Sequence, residues 1–180
     1  MKKLYRIFSI GLLLTLVASC ANDDSSTAEA LNASGITVSN TQVKDSSGTL
    51  LGYLVEASHT QFTILTTTDY LVTLKYDGSP RSDTTTGSYT TNDCTGAVYV
   101  SANSSYGKAV VTVGDGNIYL PKTVINGLAS SSSITRQSYR TGSSCFTNSL
   151  TMDAYELKTT TFQEIGLPTT ISAPISFNHQ

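Results

Sequence analysis

The chain is predicted to be all-β, an antiparallel meander closing into a sandwich or a partly closed barrel. Three observations carry this. From Gly35 onward apolar residues recur at alternate positions, the period of half-buried strands. Turn residues punctuate the runs: Ser47-Gly48, Asp77-Gly78, Thr95-Gly96, Asp115-Gly116, Asn126-Gly127 and Thr141-Gly142 each place a glycine where positive φ is accessible. Charged residues make up only 13% of the 180-residue chain, about half the usual share. The Ser and Thr that replace them are mediocre helix formers.

The strands follow in order. Leu51, Tyr53, Val55 and Ala57 alternate with Gly52, Leu54 and Glu56, which assigns the first set to one face. Phe62 and Ile64 alternate with Gln61 and Thr63, and Tyr70, Val72, Leu74 and Tyr76 with Leu71, Thr73 and Lys75. Ala109, Val111 and Val113 lead through Gly114-Asp115-Gly116-Asn117 to Ile118 and Leu120, the clearest hairpin signal in the chain. Ser130–Ser133 reads as a loop or strand edge, and Tyr155 and Leu157 alternate with Glu156 and Lys158. Residues 35–180 suffice to bury a core and read as one β domain. Two smaller layers in series would meet near Asp77–Thr91.

The chain begins differently. Lys2, Lys3 and Arg6 precede an apolar run from Ile7 to Val17, shorter than the about 20 residues a spanning helix needs. This is the pattern of a cleaved signal peptide. At its end, Val17-Ala18-Ser19-Cys20 resembles the lipobox of bacterial lipoproteins. The resemblance implies cleavage before Cys20, a diacylglyceryl group on its thiol and an acyl group on its new amine. Such chains hold a protein stably at a membrane. The expected organisation is therefore a signal peptide over 1–19, a lipidated flexible tether over 20–34 with at most one helical turn near Thr27–Leu31, and the β domain over 35–180.

Asp23 and Asp24 fit either a solvated tether or a second resemblance, to the surface-export signal of lipoproteins in the Bacteroidetes group. Ala21 is not the aspartate that resembles inner-membrane retention in enteric bacteria. The implied location is the cell envelope, at the outer membrane.

Full-length net charge is −2, and removing Lys2, Lys3 and Arg6 takes it to −5. With no basic cluster to neutralise phosphates, nucleic-acid binding is excluded. Cys20 being assigned to lipid, Cys94 and Cys145 are left as a pair. In an exported chain such a pair is expected to form a disulfide, worth about 4 kcal/mol for a loop of this length in the chain-entropy estimate.

Val43-Lys44-Asp45-Ser46-Ser47-Gly48, Gly52 and Asn92-Asp93-Cys94-Thr95-Gly96 also resemble turns of a loose group of exported bacterial β proteins. That likeness implies an extracytoplasmic β domain and brings no catalytic residue with it.

The search for chemistry returns little. Only His59 and His179 are present, one between strands and one at a terminus expected to fray. No nucleophile elbow accompanies them. Ser105-Tyr106-Gly107-Lys108 matches S-x-x-K by letter but lies between strands, where the motif needs a helix start. The 13 acids offer no distinguished pair for glycoside cleavage. Asp77, Asp93 and Asp115 adjoin turns, where a carboxylate caps its own backbone. Asp77 with Asp83, or Asp115 with Asn117, is the remaining calcium candidate, without a calcium-loop pattern.

Tyr89, Tyr99, Tyr106, Tyr119, Tyr139 and Tyr155 suit either a sugar- or peptide-binding face or ordinary strand packing. No catalytic set, metal or cofactor is predicted. The expected function is a lipid-anchored, non-enzymatic structural or ligand-binding domain with a protein or glycan partner. A carboxylate-based, glycan-directed envelope hydrolase and a surface adhesin are the alternatives.

Overall fold

The computed structural model describes residues 30–31, 37–81, 85–102 and 107–180, the first pair as backbone only. The signal peptide, the lipobox with Cys20, Asp23 and Asp24 and most of the tether lie outside the described residues. So do Asp83, Ser105 and Tyr106.

Every element among the described residues is a strand. β1 (Ala30–Leu31) pairs with β2 (Thr37–Val38), so the chain at Ala30–Leu31 is extended, not helical. A five-stranded antiparallel sheet follows, from β3 (Thr41–Lys44), β4 (Leu50–Ala57), β5 (Gln61–Leu65) and β6 (Leu71–Lys75), with β15 (Ser176–His179) returning beside β3. His179 is thereby paired with Thr41. The expected fraying does not occur, because the last four-residue strand finds an open edge to bond.

The second sheet holds six strands in the order β13-β7-β8-β14-β10-β9. Its members are β7 (Gly87–Tyr89), β8 (Val98–Ser101), β9 (Val111–Thr112), β10 (Ile118–Pro121), β13 (Ser132–Thr141) and β14 (Ser144–Thr160). The meander order is thus confined to β3–β6. In the second sheet β13 pairs with both β7 and β14, and β7 and β8 complete the path back to β14. Four strands therefore form a closed hydrogen-bonded circuit, so this sheet curls while the first stays open. A small hairpin of β11 (Val124–Ile125) and β12 (Leu128–Ala129) interrupts the passage from β10 to β13.

Two cores result. One gathers Val43, Leu51, Phe62, Ile64, Val72 and Leu74 of the first sheet with Ile118 and Leu120 of β10, closed by Ile165 and Leu167. The other lies within the second sheet, among Tyr89, Cys94, Val98, Val100, Val113, Tyr119, Tyr155 and Leu157. β10 serves both, because period-two alternation sends Ile118 and Leu120 one way and Tyr119 the other.

One face assignment needs correction. Simple alternation places Leu51 with Tyr53, Val55 and Ala57. Register shifts at both ends of β4 break the phase, as bulges do. Leu51 is fully buried and Leu54 packs on the same core, while Ala57 is exposed.

The largest unforeseen feature is the long β13–β14 hairpin, paired from Ser132↔Ala154 to Thr141↔Ser144 with a shift near Arg136–Ser138. Its side chains are mostly exposed from Ser144 to Asp153, so no apolar alternation announces it. Tyr139 and Phe146 stack across it at 5.2 Å, and Arg136 lies over the Tyr139 ring.

Cys94 and Cys145 form a disulfide, with Cα atoms 6.0 Å apart and a separation of 51 in sequence. It ties the Asp93–Gly96 turn to the tip of that hairpin. Beside it the buried Ser138 hydroxyl accepts from Cys94 N at 3.0 Å and donates to Thr91 O at 2.7 Å. Replacing either cysteine by Ser should cost about 2–5 kcal/mol, and the double variant should be little worse than either single one. Matched melting temperatures with non-reducing peptide mapping check this. Clearly additive losses, or two alkylatable thiols in the oxidised protein, would refute it.

Candidate functional site

The turns are built by one local device. In Asp45-Ser46-Ser47, Asp77-Gly78-Ser79, Asp93-Cys94-Thr95 and Asp115-Gly116-Asn117, the carboxylate accepts the backbone N–H two residues on, at 2.9–3.2 Å. The first three also accept the hydroxyl of that residue at 2.6 Å. These are Asx-turns, and they commit four acids to structure. The Ser47 hydroxyl most of all holds the Asp45 carboxyl below the usual carboxylate range. Burial works against this, while the N–H groups of Thr49, Ser172 and Ser47 support it.

Asp115 has a wider circle. The Tyr119 hydroxyl and both the N–H and side-chain amide of Asn117 donate to it. Burial raises its pKa, but these donors outweigh burial and leave it depressed. Tyr119 is pushed up to about 12, by burial first and by its bond to Asp115 second. Tyr89 is also raised by burial, against the opposing hydrogen bond of Arg140. Asp115 belongs to the hairpin turn whose Gly114, at φ +82°, lies against Gly142 of the β13–β14 turn, where a Cβ would strike backbone. This network therefore braces two turns against each other.

Beyond that turn lies an open groove of about 490 Å³, lined by Pro80, Gly116, Asn117, Ile118, Thr160, Thr161, Phe162, Gln163 and Thr169. The size falls in the range of small-molecule sites. Ile118 and Thr160 are register partners across β10 and β14 and form its floor. Pro80 arrives from the other sheet, where it bridges to Leu74, so the groove straddles the sheet junction.

The groove wall at 161–166 is a short turn fixed by a reciprocal cap. Glu164 accepts Thr160 Oγ1 and Thr161 N, both at 2.9 Å, while Glu164 N donates to Thr161 Oγ1. This is the capping-box arrangement. The Thr160 hydroxyl is the main reason Glu164 stays below its ordinary pKa, with Thr161 N–H second and burial opposing both. Phe162 packs against the first core, and its carbonyl accepts Ile165 N and Leu167 N.

The residues singled out in sequence are scattered. His59 is exposed in the β4–β5 turn, and His179 lies on β15. Lys108 donates to Thr68 O at 3.3 Å and lies 5.2 Å from the Tyr70 ring. No cluster among the described residues could hold a metal ion. Tyr89, Tyr119 and Tyr155 are buried in the second core, Tyr99 and Tyr139 half-buried on strands. Of the groove residues only Asn117 was singled out, as a calcium candidate with Asp115; the rest were missed because the lining comes from four distant stretches, Pro80, 116–118, 160–163 and Thr169. The Thr161-x-x-Glu164 spacing was the one readable sign of an organised turn there. Comparison with protein-family models, with curated proteins and with solved structures gave no match.

Stability should carry both shifts. Tyr119 favours the protonated form in the fold, so its contribution is complete below about pH 10 and lost as pH rises through about 12. The depressed Asp45 and Asp115 contribute above about pH 4 and lose that contribution as pH falls through their folded-state values. A near-ultraviolet titration should show late-ionising tyrosine, and Tyr119→Phe should remove the component that ionises near pH 12. An unchanged titration in that variant would rule out the assignment.

Proposed function

We propose that this chain is a lipid-anchored protein of the bacterial envelope whose β domain binds a neutral, hydroxyl-rich ligand, of the glycan class, in the groove at the sheet junction. The observation that carries the ligand reading is the character of the lining. Asn117, Gln163 and three threonines offer donors and acceptors, Phe162, Ile118 and Pro80 offer apolar contact, and no charged residue takes part. A polyhydroxylated ligand needs that mixture, and an ionic one would be desolvated there without a partner.

Binding is favoured over hydrolysis by the state of the neighbouring acids. Asp115 and Glu164 flank the groove in sequence, yet both are held by their own turns with lowered pKa values. Glycoside cleavage needs one carboxyl kept protonated near neutral pH. The anchor reading is supported by Val17-Ala18-Ser19-Cys20, and a disulfide in the folded part suits an oxidising compartment.

Two tests address the two halves of this reading. Cys20→Ala should move the protein out of the membrane fraction and block processing; retention of the variant on membranes after a carbonate wash would end the anchor assignment. For the groove, a panel of neutral oligosaccharides followed by calorimetry should identify a binder. Gln163→Ala with Thr169→Ala should weaken it about ten-fold or more, as expected when polar contacts are removed, without shifting the melting temperature. Affinity indifferent to both changes, or a panel without a binder, would overturn the ligand class.

A further inference from the structure

The β11–β12 hairpin is closed by Asn126 and Gly127, with φ of 51° and 79°, the left-handed pair of a tight two-residue turn. Its backbone is held firmly. Gly107 N donates to Gly127 O at 2.8 Å, and Ser130 N to Thr123 O at 2.9 Å. Yet its side chains are apolar and outside: Val124 is 44% exposed, Ile125 58% and Leu128 56%. Ile125 and Leu128 are register partners, and neither belongs to a core. The turn needs Asn-Gly, but nothing in the fold needs Ile and Leu beside it.

The patch is too small for a stable protein partner. Three side chains on one small hairpin fall far short of the about 800 Å² each side of a specific interface buries. A bilayer sets no such threshold, since a few apolar groups add to whatever already holds the protein there. Lys122, two residues before Val124, has a side chain 54% exposed but is paired with Glu156 at 2.6 Å, so the contact rests on the apolar side chains and not on charge. A lipidated Cys20 would keep the domain close to a bilayer: β1 is already paired with β2, and from Cys20 to Ala30 the backbone spans at most about 36 Å.

We infer that the β11–β12 tip inserts Val124, Ile125 and Leu128 into the interfacial layer of a phospholipid bilayer and so sets the orientation of the domain on the membrane. This rests on the lipid-anchor reading for its setting, because tethering converts a weak contact into an intramolecular one. The insertion itself is a property of the hairpin.

The chain has no tryptophan, so Ile125→Trp supplies a silent-background probe. In the full processed protein reconstituted into phosphatidylcholine vesicles with a minor phosphatidylglycerol fraction, its emission should shift to the blue and be quenched by brominated lipid. Phe146→Trp, at the tip of the other hairpin, should show neither. Adding Leu128→Asp to Ile125→Trp should abolish the quenching, and quenching should persist in about 0.5 M salt, where charge attraction is screened.

A second arm uses the same probe in a Cys20→Ser chain lacking residues 1–19, which neither an acyl group nor the apolar run Ile7–Val17 can hold. It should bind vesicles weakly, and Leu128→Asp should lower that partitioning about ten-fold or more. Unquenched emission from Ile125→Trp in the anchored protein would overturn the proposal. Should mass analysis find no lipid on Cys20 while the probe is still quenched, the anchor reading fails and the insertion stands.

Discussion

The register of Ile118–Pro121 holds the two sheets to each other, and these four residues are buried throughout. Ile118 and Leu120 enter the core beneath the first sheet, and Tyr119 enters the core of the second. β10 also bonds β9 on one side and β14 on the other. A one-residue slip would exchange the two faces, placing a tyrosine in the aliphatic core and removing its hydroxyl from Asp115. The register of this strand therefore fixes the junction of the sheets, the Asp115 turn and the floor of the groove together.

What holds register in the absence of a large core is turn chemistry. Four Asp-x-Ser/Thr/Asn turns use the same carboxylate-to-backbone bond. In three of them the middle residue has positive φ; two are Gly78 and Gly116, and the third is Cys94 at 54°. A left-handed cysteine is unusual for a side chain with a Cβ. Here it is constrained twice, by the disulfide to Cys145 and by the Ser138 hydroxyl on its N–H. The crosslink thus sits at a position whose backbone is already fixed by an Asx-turn.

This explains what could be read from sequence. β6 follows its alternation because one face is buried, whereas in β5 Thr63 is buried along with Phe62 and Ile64, its hydroxyl bonded to Glu56 and Thr73; the disulfide follows from counting cysteines in an exported chain. The β9–β10 hairpin around Gly114–Asn117 was likewise visible, since two glycines stand between apolar runs. The β13–β14 hairpin was hidden because exposed strands place no apolar residues at alternate positions, and its stability comes from ladder bonds, Ser138 and Cys145. The groove was hidden for another reason. Its lining joins Pro80, 116–118, 160–163 and Thr169, and only the non-sequential pairing of β10 with β14 brings these together.

The free edges of a β protein bear on how it meets partners. β6 would be such an edge, but Leu71 bonds Lys108 and Val110, Thr73 accepts from Arg81, and Lys75 bonds Ser79 and Gly78. Its outward backbone is consumed by the segments that carry the chain into the second sheet. β9 is two residues long and β15 four, both short for templating an added strand. The curled circuit of β13, β7, β8 and β14 removes further edge. Strand addition is thus a poor route to recognition in this fold. Side chains presented by rigid turns, in the groove and on the β11–β12 tip, are what the architecture leaves free to make contact.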